Sequence, residues 1–183
     1  MEDLRIRRTY KLLKEALFDL LSKKSFDEIR VNDICTIAMV HRTTFYSHFS
    51  DKYELLNFCI KDLEDELTYK IKENSYSDAK EFYTNLIMCI LNYIGDNKKF
   101  FQCLLKKNDD NGITRIFLNA CISYIESMLS DEENNRFEDK IPKEIISNFY
   151  SGAMISTITW WLKSNSNLTE KELCNYIINL ILF

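Results

Sequence analysis

The residues with most chemistry to offer lie together between Arg42 and Phe49, where Arg42, Thr43, Thr44, Tyr46, Ser47 and His48 surround two large apolar residues, Phe45 and Phe49, four positions apart. On a helix, residues four apart share a face. Phe45 and Phe49 therefore predict one buried side, with the polar residues left free on the other. A free face of this kind suits a helix lying in a DNA major groove. Arg42 near its start can hydrogen-bond in bidentate fashion to guanine O6 and N7, and Thr43 and Thr44 offer hydroxyls to base or phosphate and methyls to thymine. Tyr46 and His48 are placed to donate to phosphates, which fixes register without reading sequence. A polar helix face can also be merely solvated, and His48 fits a DNA contact and packing against a neighbouring helix equally well. His41 is read as a helix cap.

The elements that must position this stretch can be read on either side of it. Val31, Ile34, Cys35 and Ala38, spaced three and four apart, predict a short amphipathic helix, and Met39-Val40-His41 interrupts the pattern. A longer helix begins near Asp51, where Ser50 or Asp51 can cap it and Glu54 sits near its positive end. Asn32 and Asp33, at the start of the first of these helices, approach the DNA backbone from the other side. Before them, a helix over about residues 6–22 carries Tyr10, Leu13, Leu17, Leu20 and Leu21 on one stripe, and Phe26 and Ile29 are expected to plug the core from the following loop.

The run IRVNDICTIAMVHRTTFYSHFSDKYELL resembles the N-terminal helix-turn-helix of the TetR/AcrR family of bacterial transcriptional regulators. The matching elements are the apolar and small positions ending at Ala38, the Thr44-Phe45-Tyr46-x-His48-Phe49 stretch, and Asp51-Lys52-x-x-Leu55-Leu56. The resemblance covers roughly residues 5–60; from Phe149 to Leu173, FYSGAMISTITWWLKSNSNLTEKEL is similar to the C-terminal domain of a Firmicutes-type branch of the family. It implies that Lys52 is a phosphate-binding lysine, helped by the dipole of the helix it opens. It also implies an operator-binding homodimer that represses by occupancy, with a small-molecule pocket bounded by the fifth, seventh and eighth helices. Phe117, Tyr124, Met154 and Trp160 are the residues expected to line that pocket, and the few polar groups among them point to an apolar ligand. Two positions depart from the family pattern. Met39 stands where glycine is common, which demands a strained or different turn, and His41 stands where a Ser or Thr cap is common.

Composition agrees with an all-helical chain, for only three Gly and one Pro occur in 183 residues. No run of about 20 apolar residues predicts a membrane span, and the N-terminus lacks a signal-peptide core; a cytoplasmic protein is expected. The net charge of −4 is uneven: residues 1–50 hold nine Lys and Arg against seven Asp and Glu, and the remainder fifteen against twenty-one. Basic residues gather at Arg5, Arg7, Arg8 and Lys11, beside the candidate DNA reader. The six cysteines, Cys35, Cys59, Cys89, Cys103, Cys121 and Cys174, form no CxxC pair, so buried free thiols are expected rather than a metal site or disulfides.

The expected organisation is an all-α chain of about nine helices, with a helix-turn-helix DNA-binding domain at residues 1–52 and a helical regulatory and dimerisation domain at 53–183. The fourth helix runs to about Ile71 and would link the two mechanically. Connections are expected at residues 73–78, 108–112 and 130–141. Pro142 suits the first turn of an eighth helix, and Thr169 with Glu172 forms a capping box for a ninth. Phe149, Ala153, Ile158 and Trp161 on the eighth helix, with Tyr176, Ile177 and Leu180 on the ninth, are expected to form a two-fold four-helix dimer interface. Ser151, Gly152, Ala153 and Ser156 would let another helix approach closely. No nucleophile–base pair, metal cluster or glycine-rich phosphate loop is present, so neither an enzyme nor a cofactor or metal is expected. The alternative to small-molecule control is an adaptor whose C-terminal domain answers to a partner protein.

Overall fold

The computed structural model describes residues 4–72, 76–107, 112–130, 141–164 and 166–181. Among these residues the chain is all-α: α1 (Leu4–Leu21), α2 (Val31–Ala38), α3 (Arg42–Tyr46), α4 (Lys52–Lys72), α5 (Ala79–Asp96), α6 (Lys98–Lys107), α7 (Gly112–Ser130), α8 (Lys143–Lys163) and α9 (Glu170–Ile181). The connections expected at 73–75, 108–111 and 131–140 lie outside the described residues. No helix of the described residues is long and apolar enough to cross a membrane.

Contacts divide the chain into two compact units, Met1–Leu63 with Cys103–Asp110, and Glu64–Gln102 with Asn111–Phe183. In the first unit, α1 packs on α2 and α2 on α3. Leu13, Leu17, Leu20 and Leu21 of α1 meet Ile34, Cys35 and Ala38 of α2, Phe45 of α3, and Leu55, Leu56 and Cys59 of α4 in one buried set. Phe26 and Ile29 enter that core from the α1–α2 loop, as their isolated apolar character requires. Tyr10 joins the aromatic side of the core, with ring centroids 4.8 Å from Phe58 and 5.3 Å from Phe49.

In the second unit, α7 packs on α8 and α5 on α9. Leu86, Ile87, Leu91 and Ile94 of α5 are buried, as are Leu173, Cys174, Ile177 and Ile178 of α9. The two helices come close where Gly95 faces the end of the Glu170 side chain. Trp161 of α8 is fully buried, its indole N–H donating to the Leu168 carbonyl at 2.9 Å. Lys98 Nζ stands 4.6 Å from the same ring, and Gln102 Nε2 donates to the Leu162 carbonyl at 2.9 Å. Together these contacts tie the start of α6 to the end of α8.

The helix starts follow the capping rules. Asp51 Oδ1 accepts from the Tyr53 and Glu54 amides at 2.8 and 2.9 Å, while Glu54 reaches back to the Ser50 amide and hydroxyl. Thr169 and Glu172 form the expected capping box, and Asp78 caps α5 through the Glu81 amide.

Candidate nucleic-acid interface

The turn between α2 and α3 is built around Met39, which adopts φ 53° and ψ 40°, the left-handed region that glycine occupies without cost. The Val40 amide bonds to the Cys35 carbonyl at 3.0 Å and the Met39 amide to Thr36 at 3.3 Å, closing the end of α2 in a Schellman-like turn. The methionine side chain is 89% exposed, so nothing in the core compensates the strain. His41 precedes α3 with extended backbone and makes no side-chain cap bond. It holds the expected N-cap position through its backbone, its carbonyl accepting the Phe45 amide at 3.0 Å.

From this turn α3 projects with Phe45 fully buried and Phe49, just beyond its end, buried as well. Arg42 and Thr43 are exposed, Thr44 is half-buried, and Tyr46 is 50% exposed. The Arg42 guanidinium lies 5.8 Å from the Tyr46 ring centroid, a stacking of i and i+4 side chains that the sequence reading did not foresee. It holds a planar donor group against the exposed side of the helix. Asn32 is exposed at the start of α2, and its carbonyl accepts the Thr36 hydroxyl at 2.8 Å. Asp33 is drawn into the loop instead: it pairs with Lys24 at 2.6 Å and accepts the Arg30 amide, contacts that hold its carboxyl below the usual aspartate range.

Two expected DNA donors are placed differently. Helix α3 ends at Tyr46, not Phe49, because the amides of His48 and Phe49 both bond to the Phe45 carbonyl and tighten the last turn. His48 is thereby carried off the exposed face and packs edge-on against Tyr10, ring centroids 5.2 Å apart, with the Tyr10 hydroxyl 3.5 Å from Nδ1. Of the two readings of His48, the structure displays packing against a neighbouring helix. Lys52 departs further. Its Nζ donates to the carbonyl oxygens of Phe26, Ile29 and Asp27 at 2.7, 2.9 and 3.1 Å, directed into the unit rather than away from it. Burial lowers its pKa from the usual lysine value; Asp27 and Asp51 act in the opposite sense, while the like charge of Lys24 adds to the lowering.

The residues expected to line a ligand pocket differ in exposure. Phe117, Tyr124 and Met154 are half-buried, and Tyr124 shares a 3.3 Å hydroxyl contact with Thr68 of α4. Trp160 is 55% exposed. The expected interface residues divide as well. Phe149, Ala153, Tyr176 and Leu180 are exposed, whereas Ile158, Trp161 and Ile177 are buried in the core. The exposed stripe of α8 therefore runs through Ile145, Phe149, Ala153, Ser156 and Trp160, sharing Phe149 and Ala153 with the expected one while Ile158 and Trp161 turn inward. Sequence reasoning passed over Ser147 and named Ser151 only as a small residue; both are fully buried on α8, where Ser147 lies 3.1 Å from the Glu126 carboxylate and Ser151 Oγ has no hydrogen-bond partner among the described residues.

The cysteines are all free. Cys35, Cys59 and Cys174 are buried as expected, with burial pushing Cys59 up to about 12, but Cys103 is exposed on α6. Among the described residues no group of His, Cys, Asp or Glu could hold a metal ion.

A helix-turn-helix with an exposed polar second helix, in a chain where α7 packs on α8 and α5 on α9, defines an all-α helix-turn-helix protein. A TetR-group family model, described as transcriptional regulator C-terminal region, matches residues 81–182. The chain belongs to the TetR family of transcriptional regulators. It is 28% identical over 178 residues to the HTH-type dhaKLM operon transcriptional activator DhaS of Lactococcus lactis, covering 95% of this chain and 89% of the relative. The solved structure of a dihydroxyacetone kinase operon activator DhaS is similar, with 25% identity, a TM-score of 0.61, and coverage of 95% of this chain and 94% of that one. A TetR transcriptional regulator from Streptococcus agalactiae shares the fold, with a TM-score of 0.69, 24% identity, and coverage of 97% and 95%.

Proposed function

We propose that the chain binds a palindromic DNA operator as a homodimer, reading it through α3, and that its C-terminal helices receive the controlling signal. The observation that carries this reading is the α3 surface itself: Arg42, Thr43 and half-exposed Tyr46 stand out from a helix anchored by fully buried Phe45. In this arrangement Arg42 reads a guanine edge, Thr43 and Thr44 contact base or phosphate, and Tyr46 and Asn32 hold the backbone. His48 and Lys52 are left out of the contact set, since both are engaged within the fold.

The homodimer rests on the exposed apolar stripe of α8 and α9. Ile145, Phe149 and Trp160 on α8, with Tyr176 and Leu180 on α9, are each more than half exposed. At Gly152, midway along the stripe, an added Cβ would meet nothing within 4 Å, so the helix is open there to a close-packing partner. A second copy of the same stripe across a two-fold axis would bury it and set two recognition helices about 34–36 Å apart, one turn of B-DNA.

The Lactococcus lactis relative is named as an activator. That supports activation over the repression implied by the family resemblance. Direct selection of DNA by the purified protein from a random-sequence duplex pool tests the main reading. A two-fold symmetric enriched site is expected, bound roughly 5- to 150-fold more weakly by Arg42→Ala, the range of one lost base contact. An unenriched pool refutes operator binding.

A further inference from the structure

The α1–α2 loop presents three carbonyl oxygens to one point, and the Lys52 ammonium occupies it at 2.7 Å from Phe26, 2.9 Å from Ile29 and 3.1 Å from Asp27. A lysine ammonium has three N–H donors and no acceptor, so these carbonyls take all of them. Aromatic rings stand on two further sides. The Phe26 centroid is 4.7 Å and the Tyr53 centroid 5.5 Å from Nζ, and the two rings meet edge-on at 5.0 Å. The cage does not depend on the lysine for its shape. Phe26 and Ile29 are anchored in the core by their side chains. The loop between them and α1 is tied by Lys24 to Asp33 at 2.6 Å and by the Ser25 amide and hydroxyl to Glu28 at 3.0 Å.

The location gives the contact its meaning. Ile29 immediately precedes the entry to α2, and Lys52 is the first residue of α4, directly after the turn that ends α3. The bond between them joins the two ends of the segment that contains the whole helix-turn-helix. Hydrophobic packing of Phe45 and Phe49 sets the depth of α3, but a pin across its base fixes the angle at which it leaves the unit. A phosphate can take the ammonium only by displacing at least one of three short charge-assisted bonds.

We propose that Lys52 is a positioning residue that pins the entry of α2 to the head of α4 and so sets the pitch of the recognition helix, its charge being held inside the fold rather than on a DNA phosphate. The consequence for DNA rests on the operator-binding reading given above; the pin itself does not.

The test uses full-length Lys52→Met and Lys52→Arg, the duplex that the wild-type protein enriches from a random-sequence pool, and affinities measured over a range of salt. A phosphate contact contributes about 0.9 to the slope of log affinity against log salt for each phosphate neutralised. The pin predicts that both variants bind roughly tenfold or more weakly, the order of one lost base contact, with the wild-type salt slope retained and a lowered Tm in each. Arginine fails to rescue because its planar fork cannot point three N–H groups at carbonyls gathered around one atom. A shallower salt slope in Lys52→Met, with wild-type affinity and melting in Lys52→Arg, would overturn the proposal. Should no duplex be enriched, the operator reading falls and the pin is judged by melting and by the Lys52 Nζ protons of the wild-type protein in nitrogen-15 spectra. Slowly exchanging, observable Nζ protons support it, and their absence refutes it even if Lys52→Met does not fold.

Discussion

The reader and the C-terminal helices use apolar residues in opposite ways. In the helix-turn-helix unit, Phe45 and Phe49 are committed inward, and Arg42 and Thr43 stand exposed with half-exposed Tyr46 on the outer side of α3. In α8 and α9 there is a surplus. Trp161, Ile158 and Ile177 satisfy the core, and Ile145, Phe149, Trp160, Tyr176 and Leu180 remain outside. A polar surface over a filled core suits a partner met through hydrogen bonds and charge, whereas an apolar surplus suits a partner met through burial. One chain thus carries two exposed surfaces of distinct chemistry, the polar side of α3 and the apolar stripe of α8 and α9.

The sharpest way to break this comparison is to empty each core in turn. Phe45→Ala and Trp161→Ala should each cost about 3–5 kcal/mol. Hydrogen exchange should show lost amide protection centred on α1–α4 for the first and on α6–α9 for the second. Equal loss in both regions from either variant would mean that the units do not hold separate cores. A smaller effect tests the surplus. Trp160→Ala should leave the melting of the subunit within about 0.5 kcal/mol, as for an ordinary surface change. The same substitution should weaken self-association by about 2 kcal/mol, the scale of an aromatic interface residue, read by sedimentation equilibrium.

Smaller again is the turn. Met39→Gly relieves a left-handed residue that packs on nothing, so it should raise stability by about 0.5–1 kcal/mol, net of the glycine's greater entropy when unfolded. Denaturant melts measure it directly, and a loss of stability would mean that the methionine makes a contact that compensates the strain. The smallest effect is one the two regions should share. The Ser50 amide and hydroxyl hold the Glu54 carboxyl below the usual glutamate range, and Ser77 and Thr169 do the same for Glu81 and Glu172. Each is a carboxylate with a depressed folded-state pKa. Its contribution is therefore complete above the ordinary glutamate value of about 4.3 and is lost as pH falls through the lowered one. Melting should fall between about pH 5 and pH 3, and Glu54→Gln should flatten the part of that fall that belongs to the reader.

Much of the reader was legible from its residues because everything that defines it is local. The spacing from Val31 to Ala38 and the Phe45–Phe49 pair fix two helix faces within one short run, and the caps at Asp51 and Thr169 are signalled by side chains three residues apart. The contacts of Lys52 were not legible for a physical reason: its partners are backbone carbonyls more than twenty residues earlier, and a sequence displays side chains, not the direction of a loop's carbonyls. His48 was undecidable because its place depends on α3 ending one turn early. In α8 the difficulty is phase. Ile145 with Ile146, and Trp160 with Trp161, are adjacent apolar pairs about 100° apart around the helix, so periodicity alone names no inward side; only tertiary packing decides which of each pair is buried.

That adjacent pair of tryptophans also gives the molecule an optical signature. They are the chain's two indoles, one sealed against the Leu168 carbonyl beside a lysine, the other open to solvent. Emission from Trp161 should be blue-shifted and inaccessible to iodide, whereas emission from Trp160 should be red-shifted and readily quenched. Unfolding would abolish the first component, and association over the α8 stripe would protect the second. Two molecular events, separated by a single peptide bond, would thus be readable as two colours from the unlabelled protein.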